Sequence, residues 1–142
     1  MLKIWTGLFV LIAALAACAP MPVANPQSVQ IEGTPGMAVI YLVRGNPDWS
    51  YIPAQVYIGD RMLGNTHAGT YYRIEVPAGR HTIRGFGVDG GTITLDTQAN
   101  GIYFVQQRVA GSWRTSQSPS SAYTIIDEAR ARAVMAGAQR LG

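Results

Sequence analysis

The sequence has little of several things. Among its 142 residues are one cysteine, one lysine and only 13% charged residues. A single cysteine excludes an intramolecular disulfide framework, so packing has to hold the fold together. After the opening segment, no stretch is apolar over the roughly 20 residues that a bilayer-crossing helix needs. There is no G-x-S-x-G elbow, no H-E-x-x-H helix and no Cys/His pair, which leaves no catalytic residue to name and no metal site. Carboxylates occur singly apart from Asp127-Glu128, which a helix start explains; a pair assembled across the fold stays open. Beyond residue 17 the chain carries ten arginines against eight acidic residues, a net charge of about +2 and scattered. That is too little for a nucleic-acid footprint, so no nucleic-acid partner is expected. Arginine without lysine suits recognition of carboxylate or phosphate, and it suits a compositional bias of the genome equally well.

What is present begins with an address. Lys3, the apolar run Leu8–Ala17 and the small residues Ala16-Ala17 before Cys18 have the order of an export signal. Leu15-Ala16-Ala17-Cys18 resembles the lipobox of bacterial lipoproteins. That resemblance implies cleavage before Cys18, fatty acylation (palmitate among the chains) and a membrane anchor. The other reading is an ordinary secretory signal that leaves a free thiol. Ala19 after the cysteine, where an Asp would resemble an inner-membrane retention signal, points to the periplasmic face of the outer membrane.

Residues 1–17 are thus read as signal, and residues 18–36 as the lipidated cysteine and a tether with four prolines after it. From Met37 short β-favouring runs alternate with turn residues, which predicts a small antiparallel β-sandwich of about seven strands over 37–109. Met37–Val43 is apolar on both faces, as a central strand would be. Ala54–Ile58 and Arg61–Leu63 flank a Gly59-Asp60 hairpin. In Thr70–Val76, Tyr72, Ile74 and Val76 share one face, while Tyr71, Arg73 and Glu75 share a wet one. Pro77-Ala78-Gly79 turns into a strand over 80–84, and strands over 92–96 and 102–109 follow. Residues 110–142 read as a Ser-rich loop over 110–122 and a C-terminal helix over 125–136. Thr124 and Asp127 are placed as its capping box, with a Glu128–Arg132 pair and an apolar stripe of Ile126, Ala129, Ala133 and Val134.

The run Val56-Tyr-Ile-Gly-Asp-Arg-Met-Leu-Gly64, then Thr70-Tyr-Tyr-Arg-Ile-Glu-Val-Pro-Ala-Gly-Arg-His-Thr-Ile83, resembles a PEGA-type module. With the Ala38–Arg44 strand, the Tyr103-Phe-Val strand and the lipobox, the chain is similar to the lipoproteins of domain-of-unknown-function family 2846. The resemblance covers about residues 37–109. It implies a β-sandwich displayed outside the cytosol and brings no catalytic residues with it.

Gly85-Phe-Gly-Val-Asp-Gly90 satisfies G-x-G-x-x-G. It leads into the strand Thr92-Ile-Thr-Leu rather than a helix, so it reads as a turn and no cofactor is expected. His81 is placed towards the core, bonded to a turn backbone, and His67 on the surface. The candidate partner-binding residues are aromatic: Trp49 and Tyr51 in one loop, Tyr71 on the wet strand face and Trp113 in the Ser-rich loop. Beside arginines such side chains stack on sugar rings or anchor a peptide; alternatively, they fold over the open ends of the sandwich and shield the core. The leading expectation is a lipid-anchored, non-enzymatic envelope module that binds a protein or glycan partner. Its rivals are a structural lipoprotein self-associating through its helix or a sheet edge, and a hydrolase using His67 or His81.

Overall fold

The computed structural model describes residues 23–85, 91–111 and 119–142. It is mainly β. The strands are β1 (Ala38–Arg44), β2 (Ala54–Ile58), β3 (Arg61–Thr66), β4 (Thr70–Val76), β5 (Gly79–Arg84), β6 (Thr92–Thr97), β7 (Ile102–Ala110), β8 (Ser120–Ile125) and β9 (Gln139–Leu141), with a helix α1 (Glu128–Met135) between the last two. They form a five-stranded sheet in the order β8-β7-β1-β4-β9 and a four-stranded sheet in the order β3-β2-β5-β6.

The expected sandwich is there, with two differences. The seven strands expected over 37–109 are β1–β7, but β8 and β9 add two beyond that stretch, and the pairing is mixed, because β1 runs parallel to β7 and β4 parallel to β9. The parallel β1–β7 pair follows from the route of the chain. Between these strands lie β4 and the whole four-stranded sheet, so β7 re-enters beside β1 in the same direction.

β1 is apolar on both sides because both sides are covered, and all seven of its residues are buried. Ala38, Ile40 and Leu42 face the second sheet and meet Val56, Ile74, Ile83, Leu95 and Val105 in the inter-sheet core. Val39, Tyr41 and Val43 face the other way, onto Phe104, Ala131 and Met135. The protein therefore has three layers: sheet, sheet and helix. Each fully buried aliphatic side chain contributes about 1.5–3 kcal/mol, so β1 alone anchors much of the stability.

The hairpin expected at Gly59-Asp60 forms. Gly59 takes a left-handed φ of 56° in the β2–β3 hairpin. Pro77-Ala78 then carries the chain from β4 in the larger sheet to β5 in the smaller. β5 and β6 close as an antiparallel hairpin around the glycine-rich segment, and the Gly85 N–H donates to the Gly91 carbonyl at 3.0 Å. The turn reading of that segment therefore fits its flanks, while residues 86–90 lie outside the described residues.

Three expectations are corrected in the last third of the chain. Residues 120–122 are not loop: β8 runs from Ser120 and pairs antiparallel with β7, from Ala110↔Ser120 to Val105↔Ile125. That pairing takes Thr124 into the ladder opposite Gln106, so Thr124 is not the helix cap. Asp127 is the cap, its carboxylate accepting the Arg130 N–H at 2.7 Å. Moving the start to Glu128 rotates the buried stripe to Ala131 and Met135, with Val134 and Ile126 packed beside them, while Ala129 and Ala133 are exposed. The Glu128–Arg132 pair does form, at 2.8 Å. Past the helix, Gly137 at φ 78° reverses the chain into β9.

The segment before β1 is shorter as a tether than the prolines suggest. Pro26–Ser28 forms a 3-10 turn, and Val29 and Ile31 pack on the helix side of the larger sheet. The Tyr41 hydroxyl accepts the Glu32 N–H at 2.8 Å. Arg73 donates to the Glu32 carbonyl at 3.2 Å and to the Thr34 hydroxyl at 2.8 Å, while Thr34 donates to Glu75 at 2.6 Å. Arg73 Nη1 also donates to the Glu75 carboxylate, and the hydrogen bonds from Thr34 first and Arg73 second hold that carboxyl below the usual carboxylate range. The face of β4 expected to be wet is thus partly covered by the chain's own approach.

Candidate binding groove

Arg44, the last residue of β1, is fully buried. At the end of an apolar run an arginine ordinarily reaches solvent, yet this one turns inward to close the loop 45–53. Its Nε donates to the Asp48 carboxylate at 2.6 Å, its Nη1 to the carbonyls of Ile52 (2.8 Å) and Thr66 (3.1 Å), and its Nη2 to that of Ser50. Asp48, with a side chain only 2% exposed, also accepts the backbone N–H groups of Trp49 at 2.8 Å and Val109 at 3.2 Å. Arg44 and Asp48 thus tie the loop to β3 and β7 through hydrogen bonds to charged groups, the strong kind.

The polar seam continues inward. The Thr66 hydroxyl meets the Gln107 carbonyl oxygen at 2.6 Å, and the Gln107 amide donates to Ser121 at 3.1 Å and Tyr123 at 3.4 Å. Burial pushes the Tyr123 hydroxyl up to about 12, against the smaller opposing effect of its hydrogen bonds to Ser121 and Gln107. Among the described residues no buried side-chain N or O lacks a partner. Gly85 and Gly91 cross β8 so closely that a Cβ on Gly91 would lie 2.2 Å from the Ser121 carbonyl oxygen.

The loop held in this way presents Trp49 and Tyr51 to solvent, 63% and 67% exposed. Neither shields the core, which disposes of the capping alternative for these two. Trp49 forms one wall of a groove of about 600 Å³ between the loop and α1. The Arg108 guanidinium sits 5.0 Å from the Trp49 ring centroid, as a stacked cation. Arg130, from the first turn of α1, lines the same groove together with Asn46, Gln106 and Val134. Gly45, Gly69 and Ala133 leave the space open.

The other sequence candidates fall elsewhere. Tyr71 does not line this groove; it is half-buried, its ring 6.4 Å from that of Tyr41. Cys18 and Trp113 lie outside the described residues. His67 is exposed, as expected. His81 makes the expected turn contact, Nε2 to the Pro77 carbonyl at 2.8 Å, but it sits half-exposed at the rim rather than in the core. It shares an open cleft of about 440 Å³ with Glu75, Arg61 and Arg80. There the imidazole is bonded to Pro77 and the Glu75 carboxylate to Thr34 and Arg73, so the two do not pair. No group of three or more His, Cys, Asp or Glu able to hold a metal occurs among the described residues.

Sequence reasoning found Trp49 and missed Arg44, Asp48, Arg108 and Arg130. The signal available was Asn46-Pro47-Asp48-Trp49, in which an Asp directly after a turn proline precedes an aromatic. Its arginine partner could be placed only with β3 and β7 in position. Compared with known families and curated proteins, the chain matches no family model and no curated protein.

Proposed function

We propose that this chain is a lipid-anchored, non-enzymatic lipoprotein of the cell envelope, fastened through Cys18 to the periplasmic face of the outer membrane. Its sandwich docks a protein or glycan partner at the loop 45–53 and the groove beside it. The observation that carries the docking part is the exposure of Trp49 and Tyr51 on a loop that a buried ion pair holds in place. A rigid loop loses little conformational entropy on binding, and large aromatic side chains make good anchors. For the anchor, the support is the order Lys3, apolar run, Leu15-Ala16-Ala17-Cys18, and the absence of any bilayer-length apolar run after it. Val56–Gly64 and Thr70–Ile83 support the same reading through their resemblance to the lipoproteins of domain-of-unknown-function family 2846. Self-association through the helix is disfavoured, because the apolar side of α1 lies against the sheet.

The test has two arms. Cells fed a palmitate analogue should label the wild type and not Cys18→Ser, which should leave the membrane fraction. Crosslinking in intact envelopes should then recover a partner with the wild type that Trp49→Ala fails to recover. An unlabelled wild type refutes the anchor, and equal recovery by both proteins refutes the docking loop.

A further inference from the structure

The groove beside Trp49 has a chemistry of its own. It has two guanidinium groups, those of Arg108 and Arg130, and one carboxylate, that of Asp48. Asp48 is not available to either, since it is 2% exposed and taken by Arg44 and two backbone N–H groups. Among the described residues neither Arg108 nor Arg130 is in an ion pair, although four other arginines are. The groove is therefore a local excess of two positive charges in a chain whose charge is otherwise nearly balanced.

The geometry adds a second requirement. Arg108 lies over the Trp49 ring at 5.0 Å and lines the groove, and a guanidinium meets an anion through its N–H edge in a bidentate fork. The indole itself is 63% exposed, a flat apolar face beside the charged wall. Asn46 and Gln106 supply amide groups that both donate and accept, as hydroxyl-rich ligands require. An occupant has to offer an anionic group, an apolar ring face next to it and hydroxyls around it. A volume of about 600 Å³ is in the range of small-ligand sites.

We propose that this groove binds an anionic saccharide, with a pyranose face stacked on Trp49, its carboxylate or phosphate held by Arg108 and Arg130, and its hydroxyls met by Asn46 and Gln106. This rests on the docking reading above and names the partner's class. An acidic peptide offers the charge without the hydroxyls that the two amides match, so it is treated as an outcome of the test.

Titration calorimetry on the full chain in detergent would use a galacturonic acid pentamer, a neutral pentasaccharide of the same length, a phosphorylated oligosaccharide, a pentaglutamate peptide and inorganic phosphate. The wild type should bind one or both anionic saccharides at least tenfold more tightly than the neutral one, and more weakly as salt rises. Arg108→Gln and Arg130→Gln should each lose about tenfold, Arg130→Lys less, and Trp49→Ala should lose binding while Trp49→Phe keeps part of it. Preference between the carboxylated and phosphorylated probes identifies the anionic group. Equal binding of the neutral sugar, tighter binding of pentaglutamate, or full competition by inorganic phosphate would overturn the proposal. If no saccharide binds while Trp49→Ala still loses its crosslinked envelope partner, the ligand class is wrong and the docking loop survives. If Trp49→Ala changes neither measurement, both are wrong.

Discussion

Replacing Arg44 with methionine keeps an unbranched apolar stem and removes only the guanidinium. The structure says what that leaves behind. The Asp48 carboxylate, 2% exposed, would keep two backbone N–H donors and lose its cation, and the carbonyls of Ser50, Ile52 and Thr66 would each lose a donor. Removing one partner of a buried ion pair costs about 3–5 kcal/mol, because the survivor is an uncompensated buried charge. A domain of this size has about 5–15 kcal/mol in all, so Arg44→Met should shift a urea unfolding midpoint by a large part of its value. Asp48→Leu should destabilise for the mirror reason. The double variant Arg44→Met, Asp48→Leu should be less costly than Arg44→Met alone, because the stranded charge goes with its partner. The assay is urea unfolding followed by circular dichroism, with all three variants in one buffer. Singles that each cost under about 1 kcal/mol, or a double equal to their sum, would refute the claim that this pair fastens the loop.

Three further outcomes follow from groups elsewhere in the fold. Tyr123, raised from an ordinary value near 10 to about 12, favours the folded state while it is protonated; its contribution is complete below pH 10 and is lost as pH climbs to about 12. It amounts to about 2–3 kcal/mol, and Tyr123→Phe should flatten that alkaline decline in a melting-temperature profile. Glu75 is held below the usual carboxylate range, so its contribution is present at neutral pH and is lost as pH falls through the folded value. Amide exchange should show the Glu32 N–H losing protection in acid, and Glu75→Gln losing it already at pH 7. Gly85→Ala would place a Cβ 2.5 Å from that of Ser121, and Gly91→Ala one 2.2 Å from the Ser121 carbonyl oxygen. Each should cost about 1–3 kcal/mol in thermal unfolding, and Ser121→Gly should rescue only the Gly85 variant, since the other clash is with backbone.

The sheets were readable where burial writes a pattern into side chains. β1 is apolar at six consecutive positions because two layers cover it, and β4 alternates at Tyr72, Ile74 and Val76 because one side faces the inter-sheet core. β8 gives no such pattern. Ser121 is its one fully buried side chain, and what holds it in place is the backbone ladder to β7. β9 has three residues and no buried one, too short for any period. The helix was legible as a helix, but its cap was read three residues early, because Thr124 and Asp127 are both good caps and only the β7–β8 ladder decides between them. Arg44 was invisible for a related reason: the carbonyls that satisfy it come from the loop 45–53 and from Thr66 at the end of β3, and converge only when folded.

The docking of Val29 and Ile31 against the sheet also sets distances. With Cys18 in the lipid as proposed, six residue steps separate it from Ala24, where the chain meets the body, a leash of at most about 20–22 Å at full stretch. The Val29 carbonyl takes an N–H from Arg132 of the helix at 2.6 Å, and a Cβ on Gly137, at the mouth of the groove, would lie 3.3 Å from Ala24. The point of attachment and the groove thus share one side of the body. Whatever fills the groove would have to be found close to the bilayer's headgroups, within the sweep of a short leash, rather than deep in the space beyond.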